Sequence, residues 1–258
     1  MNKRYSPGVA TIGRISATGF VVCLLISITG HANLVQSPTS GGPPAGIAFV
    51  QNTAGANCIG ASTCVATLTG TTVHNFFAVG VYITLGSPGV TVSSITADNG
   101  TSCSLATGTQ NTSSSGGFFT TQIGYCQNNS ASGTINVTAH LTGTTSGGGG
   151  SIFTIGVGEF SGVSLSGADI GAGSTGIATV DPVTASVTTT QTNQLVFSLA
   201  TRDGTFGFSS IGGNQIEFPS SSNIFTYQIT DSIGTVTHSF STGDTSHKIM
   251  SVAAFSHP

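Results

Sequence analysis

The stretch Phe77–Leu85, FAVGVYITL, decides the fold. Phe77, Val79, Val81, Ile83 and Leu85 alternate with Ala78, Gly80, Tyr82 and Thr84. A period of two sends successive side chains to opposite faces, so this is a β-strand and not the apolar face of a helix. The pattern recurs along the chain. Ile135, Val137, Ala139 and Leu141 alternate with Asn136, Thr138 and His140. Leu195, Phe197 and Leu199 form a third row, Val236, His238 and Phe240 a fourth, and Lys248 to Phe255 a final strand. Gly, Asn and Ser punctuate these runs, and no segment offers a helical face longer than two turns. Many short strands at regular spacing predict an all-β protein: a single antiparallel β-sandwich, immunoglobulin-like or jelly-roll-like.

Ahead of the strands the chain changes character. Lys3, Arg4 and Arg14 form a basic region, Phe20–Ile28 (FVVCLLISI) an apolar one, and Gly30-His31-Ala32 offers small residues for cleavage before Asn33. The apolar run is too short to span a bilayer as a helix. Cys23 follows Val21 and Val22, without the Leu and small residue of a lipoprotein signal, so it leaves with the leader. Ser37–Gly46 (SPTSGGPPAG) reads as an extended arm. The expected organisation is a signal peptide over 1–32, an arm over 33–46 and the sandwich over 47–258. Gly147–Gly150 reads as a long hairpin loop, making neighbours of the strands at 134–141 and 152–160. No internal repeat stands out.

Composition narrows the function. Charged residues make up 5% of the chain, against roughly 25% in ordinary soluble domains. Beyond the leader only Arg202 and Lys248 are basic, against eight acidic residues. Nucleic acid and anionic membranes are held mainly through Lys and Arg, so neither is expected as a partner. Ser, Thr, Gly, Asn and Gln fill the surface instead, leaving little charge repulsion between copies. Such a surface suits other copies of the same chain, or surface glycans. Ile47–Gln51 (IAFVQ) and the arm before it have the length and character of a donated strand. The plainer reading makes Ile47–Gln51 the domain's own first strand.

Four cysteines remain beyond the leader: Cys58, Cys64, Cys103 and Cys126. An even number in an exported chain predicts disulfides. Cys58 and Cys64 bracket a short loop of small residues and are expected to close it. Cys103 and Cys126 flank the Gly/Ser turn at Ser113–Gly117 and are expected to pair across a hairpin. Zinc is disfavoured, because neither pair has CxxC spacing and no His lies beside them.

Catalytic patterns are sparse. Glycoside hydrolysis needs two carboxylates on either side of one bond, and the only glutamates are Glu159 and Glu217. Glu159 follows Phe153, Ile155 and Val157 at period two, so it points to the apolar face at a strand end. A carboxyl there is either a raised-pKa acid or a satisfied acceptor of backbone and hydroxyl donors, and the second is preferred. GVSLSG at Gly162–Gly167 has one residue too many for a nucleophile elbow. His74, His140, His238, His247 and His257 are scattered singly. His140 is expected to face solvent, and His238 to pack with Val236 and Phe240. Asp98 and Asp203, each close before a glycine, offer turn oxygens to calcium; Asx turns explain them more simply. No other cofactor is expected. N-x-S/T triplets start at Asn99, Asn111, Asn128 and Asn136. Sugar-stacking aromatics are few, with no Trp and only Tyr82, Tyr125 and Tyr227 beyond the leader.

Three stretches resemble an uncharacterised family of secreted bacterial β-sandwich domains. Thr91–Gly100 (TVSSITADNG) is similar to the family's TVSSVTDxxG, Val157–Gly162 (VGEFSG) to its V-x-EYSG, and Val252–Phe255 (VAAF) to its closing VAF. Their order along the chain carries the resemblance, which spans most of it from Ile47 onward. His74 in place of a glycine, Phe160 in place of tyrosine and the extra cysteines depart from the pattern. The resemblance implies a β-sandwich and an exported location, with no catalytic residue to carry over. The expected role is a secreted, non-catalytic structural or adhesive protein; the alternative is a carbohydrate-binding or glycan-processing module.

Overall fold

The computed structural model describes residues 46–54, 57–84, 88–113, 118–128, 132–145, 152–165, 168–174, 181–202, 209–211, 214–216 and 223–257. Of these, 54, 168–170, 172–174, 209–211, 214–216 and 223–224 are described by backbone alone. The expected leader, nearly all of the expected arm, the Gly147–Gly150 stretch, Asp203 and Glu217 lie outside the described residues.

Period-two alternation builds strands throughout. The first half of the fold contributes β1 (Ala48–Ala54), β2 (Thr63–Thr71), β3 (Phe76–Thr84), β4 (Val92–Ala97), β5 (Ser102–Leu105), β6 (Asn111–Ser113), β7 (Phe119–Gln127), β8 (Gly133–Leu141) and β9 (Ile152–Ser161). The second contributes β10 (Ala168–Ser174), β11 (Val183–Thr189), β12 (Gln194–Arg202), β13 (Ser209–Ile211), β14 (Asn214–Ile216), β15 (Asn223–Thr230), β16 (Gly234–Ser241) and β17 (Lys248–Phe255). Ladder pairing is antiparallel from the first strand to the last. The protein is all-β, as the alternation predicts.

The sheets are stacked four deep. An outer sheet β2-β8-β4 covers an inner sheet β1-β9-β3-β7-β5, with β6 also on β7. A second inner sheet, β10-β17-β12-β15-β14, packs back to back on the first and is covered in turn by β11-β16-β13. Three apolar layers lie between them. Leu68, Val79, Ile135, Val137 and Phe153 belong to the first layer, and Phe76, Phe160, Phe197, Phe225 and Phe255 to the middle one. Val187, Val196, Phe240 and Val252 belong to the third. β3 is consequently buried on both faces. Its odd residues from Phe77 to Ile83 enter the first layer, whereas Phe76, Ala78 and Tyr82 enter the middle one. Gly80 takes part by having no side chain: a Cβ there would lie 2.0 Å from the Phe225 ring of the opposite sheet. The stack falls within one compact unit.

Two expectations fail here. The strands flanking Gly147–Gly150 are not neighbours: β8 pairs with β2 and β4, and β9 with β1 and β3. Matching alternation makes two strands compatible as partners without making them adjacent, and these two lie in different sheets. A repeat is also present, in topology. Replacing β1, β9, β3, β7 and β5 by β10, β17, β12, β15 and β14 reproduces the inner sheet, and β2-β8-β4 becomes β11-β16-β13.

The equivalence extends to single residues. Phe160 pairs with Phe76 as Phe255 pairs with Leu195. The Thr71 hydroxyl donates to the Gly133 carbonyl at 2.9 Å, and the Thr189 hydroxyl to that of Gly234 at 3.0 Å. Across the middle layer, Tyr125 meets Phe255 edge-on with ring centres 5.8 Å apart, and its equivalent Tyr227 meets Phe160 at 5.2 Å. Reciprocal contacts of this kind mark an approximate two-fold axis between the halves. Ile47 packs in the middle layer and β1 runs beside β9, so IAFVQ lies in its own domain's sheet.

Candidate functional site

Both predicted disulfides are present. Cys58–Cys64 closes its loop, and Cys103–Cys126 joins residues directly opposite each other on β5 and β7. All four cysteines belong to the first half, and their sulfurs pack on its apolar layer.

Glu159 is completely buried near the end of β9, on the inward face that the period predicts. Its Oε1 accepts from the Thr72 N–H at 3.0 Å and from Asn75 Nδ2 at 2.7 Å, and Oε2 accepts from Gln51 Nε2. The carboxylate holds the β2–β3 turn, where His74 adopts a positive φ of 68°. Asn128 holds the same turn from the other side: its carbonyl accepts from the His74 N–H, and its Nδ2 donates to the Thr72 carbonyl. In the second half Ala254 stands where Glu159 would be. There the Gln194 Oε1 accepts from the Thr190 N–H at 2.8 Å, the equivalent of Thr72. An amide thus does in one half what the carboxylate does in the other. The satisfied-acceptor reading of Glu159 describes these contacts.

Asp98 accepts from the Asn136 N–H and from its Nδ2, both at 2.9 Å, while Asn99 turns the chain with a φ of 57°. Both carboxylate oxygens thus hold amide protons from across the ladder, and the turn itself is closed by the backbone, the Thr101 N–H donating to the Asp98 carbonyl at 3.2 Å, in place of the expected Asx turn. No group of three or more His, Cys, Asp or Glu side chains converges among the described residues. The triplet asparagines divide by burial. Asn111 and Asn128 are buried, donating to the Met250 and Thr72 carbonyls, whereas Asn99 and Asn136 are exposed.

Two polar clusters escaped the sequence reading, and both lie in the second half. The first gathers four charges. Arg202 and Lys248 sit opposite each other on β12 and β17, and both are essentially inaccessible. Arg202 donates to Asp244 Oδ2 at 2.8 Å; the Lys248 Nζ lies 3.3 Å from Asp181 Oδ1 and donates to the Asp244 carbonyl. Burial pushes the Asp181 carboxyl upward, but donors from Ser241, Thr242 and Gly243, with Lys248, outweigh it and hold its pKa at about 2. Hydrogen bonds from the Ser246 and Thr242 side chains, then the Ser246 N–H and Arg202, hold Asp244 well below the usual carboxylate range. The signal available in the sequence was that the only two Lys or Arg residues after Arg14 each occupy an end of an apolar strand.

The second cluster surrounds His238. It shares the inward face of β16 with Val236 and Phe240, as its phase predicts, but both ring nitrogens have polar partners. Nε2 lies 3.2 Å from Gln228 Oε1, an acceptor, so Nε2 carries the proton and donates. Nδ1 therefore accepts from the Ser198 hydroxyl at 2.6 Å, with Thr226 Oγ1 at 3.3 Å. Burial lowers the imidazole pKa from 6.5 to about 4. Ser198 and His238 are each fully buried, so a Ser–His pair is present without access to it.

The outward faces of the two outer sheets complete the inventory. On β11 and β16, Thr184, Ser186 and Thr188 stand opposite Ser239, Thr237 and Thr235. Ser186 and Thr237 share a hydrogen bond of 2.7 Å. On β2, β8 and β4 the corresponding residues include Thr67, Asn136, Thr138, Thr96 and His140, which bonds Thr96 as an outward-facing residue does. Comparison of the chain with protein-family models, curated proteins and solved structures finds no match. Among the described residues no helix is long and apolar enough to cross a membrane, which says nothing of β-barrels.

Proposed function

We propose that this is an exported structural or adhesive protein without turnover, a rigid block that works through its two outer faces. The observation that carries the reading is where the charges are. Arg202 and Lys248, the only basic residues beyond the leader, are buried against carboxylates, while both outer faces present rows of hydroxyls and amides. With no exposed Lys or Arg among the described residues, an anionic partner has little to bind. An uncharged partner loses nothing by that, because hydroxyl and amide rows exchange hydrogen bonds without removing charge from water. Copies of this protein and neutral polyhydroxyl surfaces both meet the condition. The buried state of Glu159, Ser198 and His238 supports a role without chemistry.

The test pairs imaging with binding. Negative-stain microscopy of the purified protein should show assemblies, or immobilised neutral glycans should retain it, with Thr237→Lys on the outer face weakening whichever is seen. Turnover of polysaccharide or ester substrates, abolished by Glu159→Gln in a folded protein, would sink the non-catalytic reading. Glycan retention without self-assembly favours the carbohydrate-binding alternative, which the hydroxyl rows also support.

A further inference from the structure

The second half contains a buried histidine where its twin contains an aliphatic residue. Counting from the paired glycines Gly133 and Gly234, His238 occupies the place of Val137, and Ala185 faces it across the ladder as Ala66 faces Val137. Ser198 stands in the place of Val79, Thr226 in that of Gly124, and Gln228 in that of Cys126. In the first half, Val79, Val137 and Cys126 are apolar core, tied at its edge by a disulfide. In the second half a chain of hydrogen bonds runs from half-buried Gln228 through His238 to Ser198 and Thr226. One fold therefore closes the same space twice, once with groups that cannot titrate and once around a group that can.

We infer that His238 is an acid-sensitive catch that holds the outer sheet β11-β16-β13 on the inner sheet of the second half. In the neutral ring Nε2–H donates to Gln228 and Nδ1 accepts from Ser198. Taking up a proton at Nδ1 turns that acceptor into a donor. Ser198 accommodates this by turning its hydroxyl proton toward Thr226 Oγ1, 2.8 Å away, so every hydrogen bond has a replacement. Among the described residues the charge has none. β11 directs Val183, Ala185 and Val187 into this space, β12 Val196, Ser198 and Ala200, β15 Thr226 and Gln228, and β17 Met250, Val252 and Ala254. β13, Ser209–Ile211, contains no ionisable residue. The charged groups on the same faces of β12 and β17 are Arg202 and Lys248, cations that repel an imidazolium, with Asp181 and Asp244 already engaged by them. Among the described residues an imidazolium in such a place has no counter-ion, so the protonated state favours separation of the two sheets. The low pKa that burial imposes on the ring agrees with this geometry.

Hydrogen exchange of the whole protein, followed by mass spectrometry between pH 7 and pH 4 and corrected for intrinsic rates, tests the inference. Peptides from β11 and β16 should lose protection by about two orders of magnitude over this range, while β2, β3 and β8 keep theirs. In His238→Gln, which keeps hydrogen bonding without the titration, the pH dependence of β11 and β16 should vanish. An unchanged pH response in that variant, equal losses in both halves, or no loss at all would each overturn it. Should His238→Gln fail to fold, NMR titration of the wild-type imidazole serves instead. Its midpoint must lie well below the ordinary 6.5, and β16 protection must fall between pH 6.5 and that midpoint and level off beneath it; an unshifted midpoint, or protection that stays flat across this window, rejects the catch.

Discussion

Ile83 and Phe153 face each other across β3 and β9, whereas the residues at the same two places in the second half are Arg202 and Lys248. The contrast holds around the whole of each sandwich. Where Cys58 and Cys64 pin one end of the first half, Asp181 and Asp244 bind the two cations at the corresponding end of the second. Where Cys126 reaches Cys103, Gln228 reaches His238. A topology fixed by strand order accepts either solution, because each closes the same gap with groups that satisfy one another. What differs is the condition that opens it. Reduction acts on one half and acid on the other.

The largest expected effect comes from removing that difference on the first side. Replacing both disulfides by serine pairs should destabilise the first half by about 3 kcal/mol or more, most of it from Cys103–Cys126, which closes the longer loop. Chemical denaturation should then show the first half unfolding ahead of the second, reversing the order at acid pH; a coincident transition would mean that the halves cannot separate. Acid should produce an effect of similar size on the other side. The folded pKa of His238 is about 4, below the ordinary 6.5, so the unfolded chain takes up the proton first. Stability is therefore complete above pH 6.5, falls as pH drops toward 4, and loses nothing further from this group below that, a total of about 3 kcal/mol. Denaturation midpoints at pH 7, 5 and 4 check the slope and its sign.

A third substitution addresses the seam instead of either half. Gly80→Ala drives a methyl into the Phe225 ring and should cost about 1–3 kcal/mol, with exchange rising first at Phe76, Phe197 and Phe255 in the middle layer. If exchange rises in an outer sheet instead, the rings are not what joins the halves. The smallest effect is expected from Glu159→Gln. The amide can still accept at one oxygen, as Gln194 does for Thr190, so the loss should be about 1 kcal/mol and confined to the β2–β3 turn. A loss above about 3 kcal/mol would show that the negative charge itself matters there.

Local pattern made much of this legible. Alternation along 77–85, 135–141 and 248–255 marks strands because it records which side chains must leave water. The disulfides were legible because each joins residues near in sequence or symmetric about a turn. Glu159 was legible as inward-pointing for the same period-two reason. Partnership between distant strands was not, since β8 and β9 carry compatible patterns yet face different neighbours. The repeat escaped because topology survives with few shared residues, Thr71 and Thr189, Gly133 and Gly234, Tyr125 and Tyr227, Phe160 and Phe255 among them. The ionic cluster draws Asp181, Arg202 and the Asp244–Lys248 stretch from three separate segments, and no spacing rule links the three. His238 looked like an ordinary core residue because Ser198 lies forty residues before it, and nothing in the pattern shows that Gln228 of the preceding strand reaches its ring.

In each inner sheet the strand made last sits inside it: β9 lies between β1 and β3, and β17 between β10 and β12. A chain emerging from its N-terminus can form the pairs β3–β7 and β12–β15 early. Its first strand in each half must nevertheless wait, unpaired, for a partner 102–113 residues away in the first half and 76–87 in the second. Closing so large a loop costs conformational entropy before any contact repays it, which makes slow folding the rule for such connections. During that wait the unsatisfied edges of β1 and β3 present a strand-shaped gap of the kind that captures foreign strands. Speed of completion, more than final stability, then decides how much of this protein escapes aggregation on its way to the folded state.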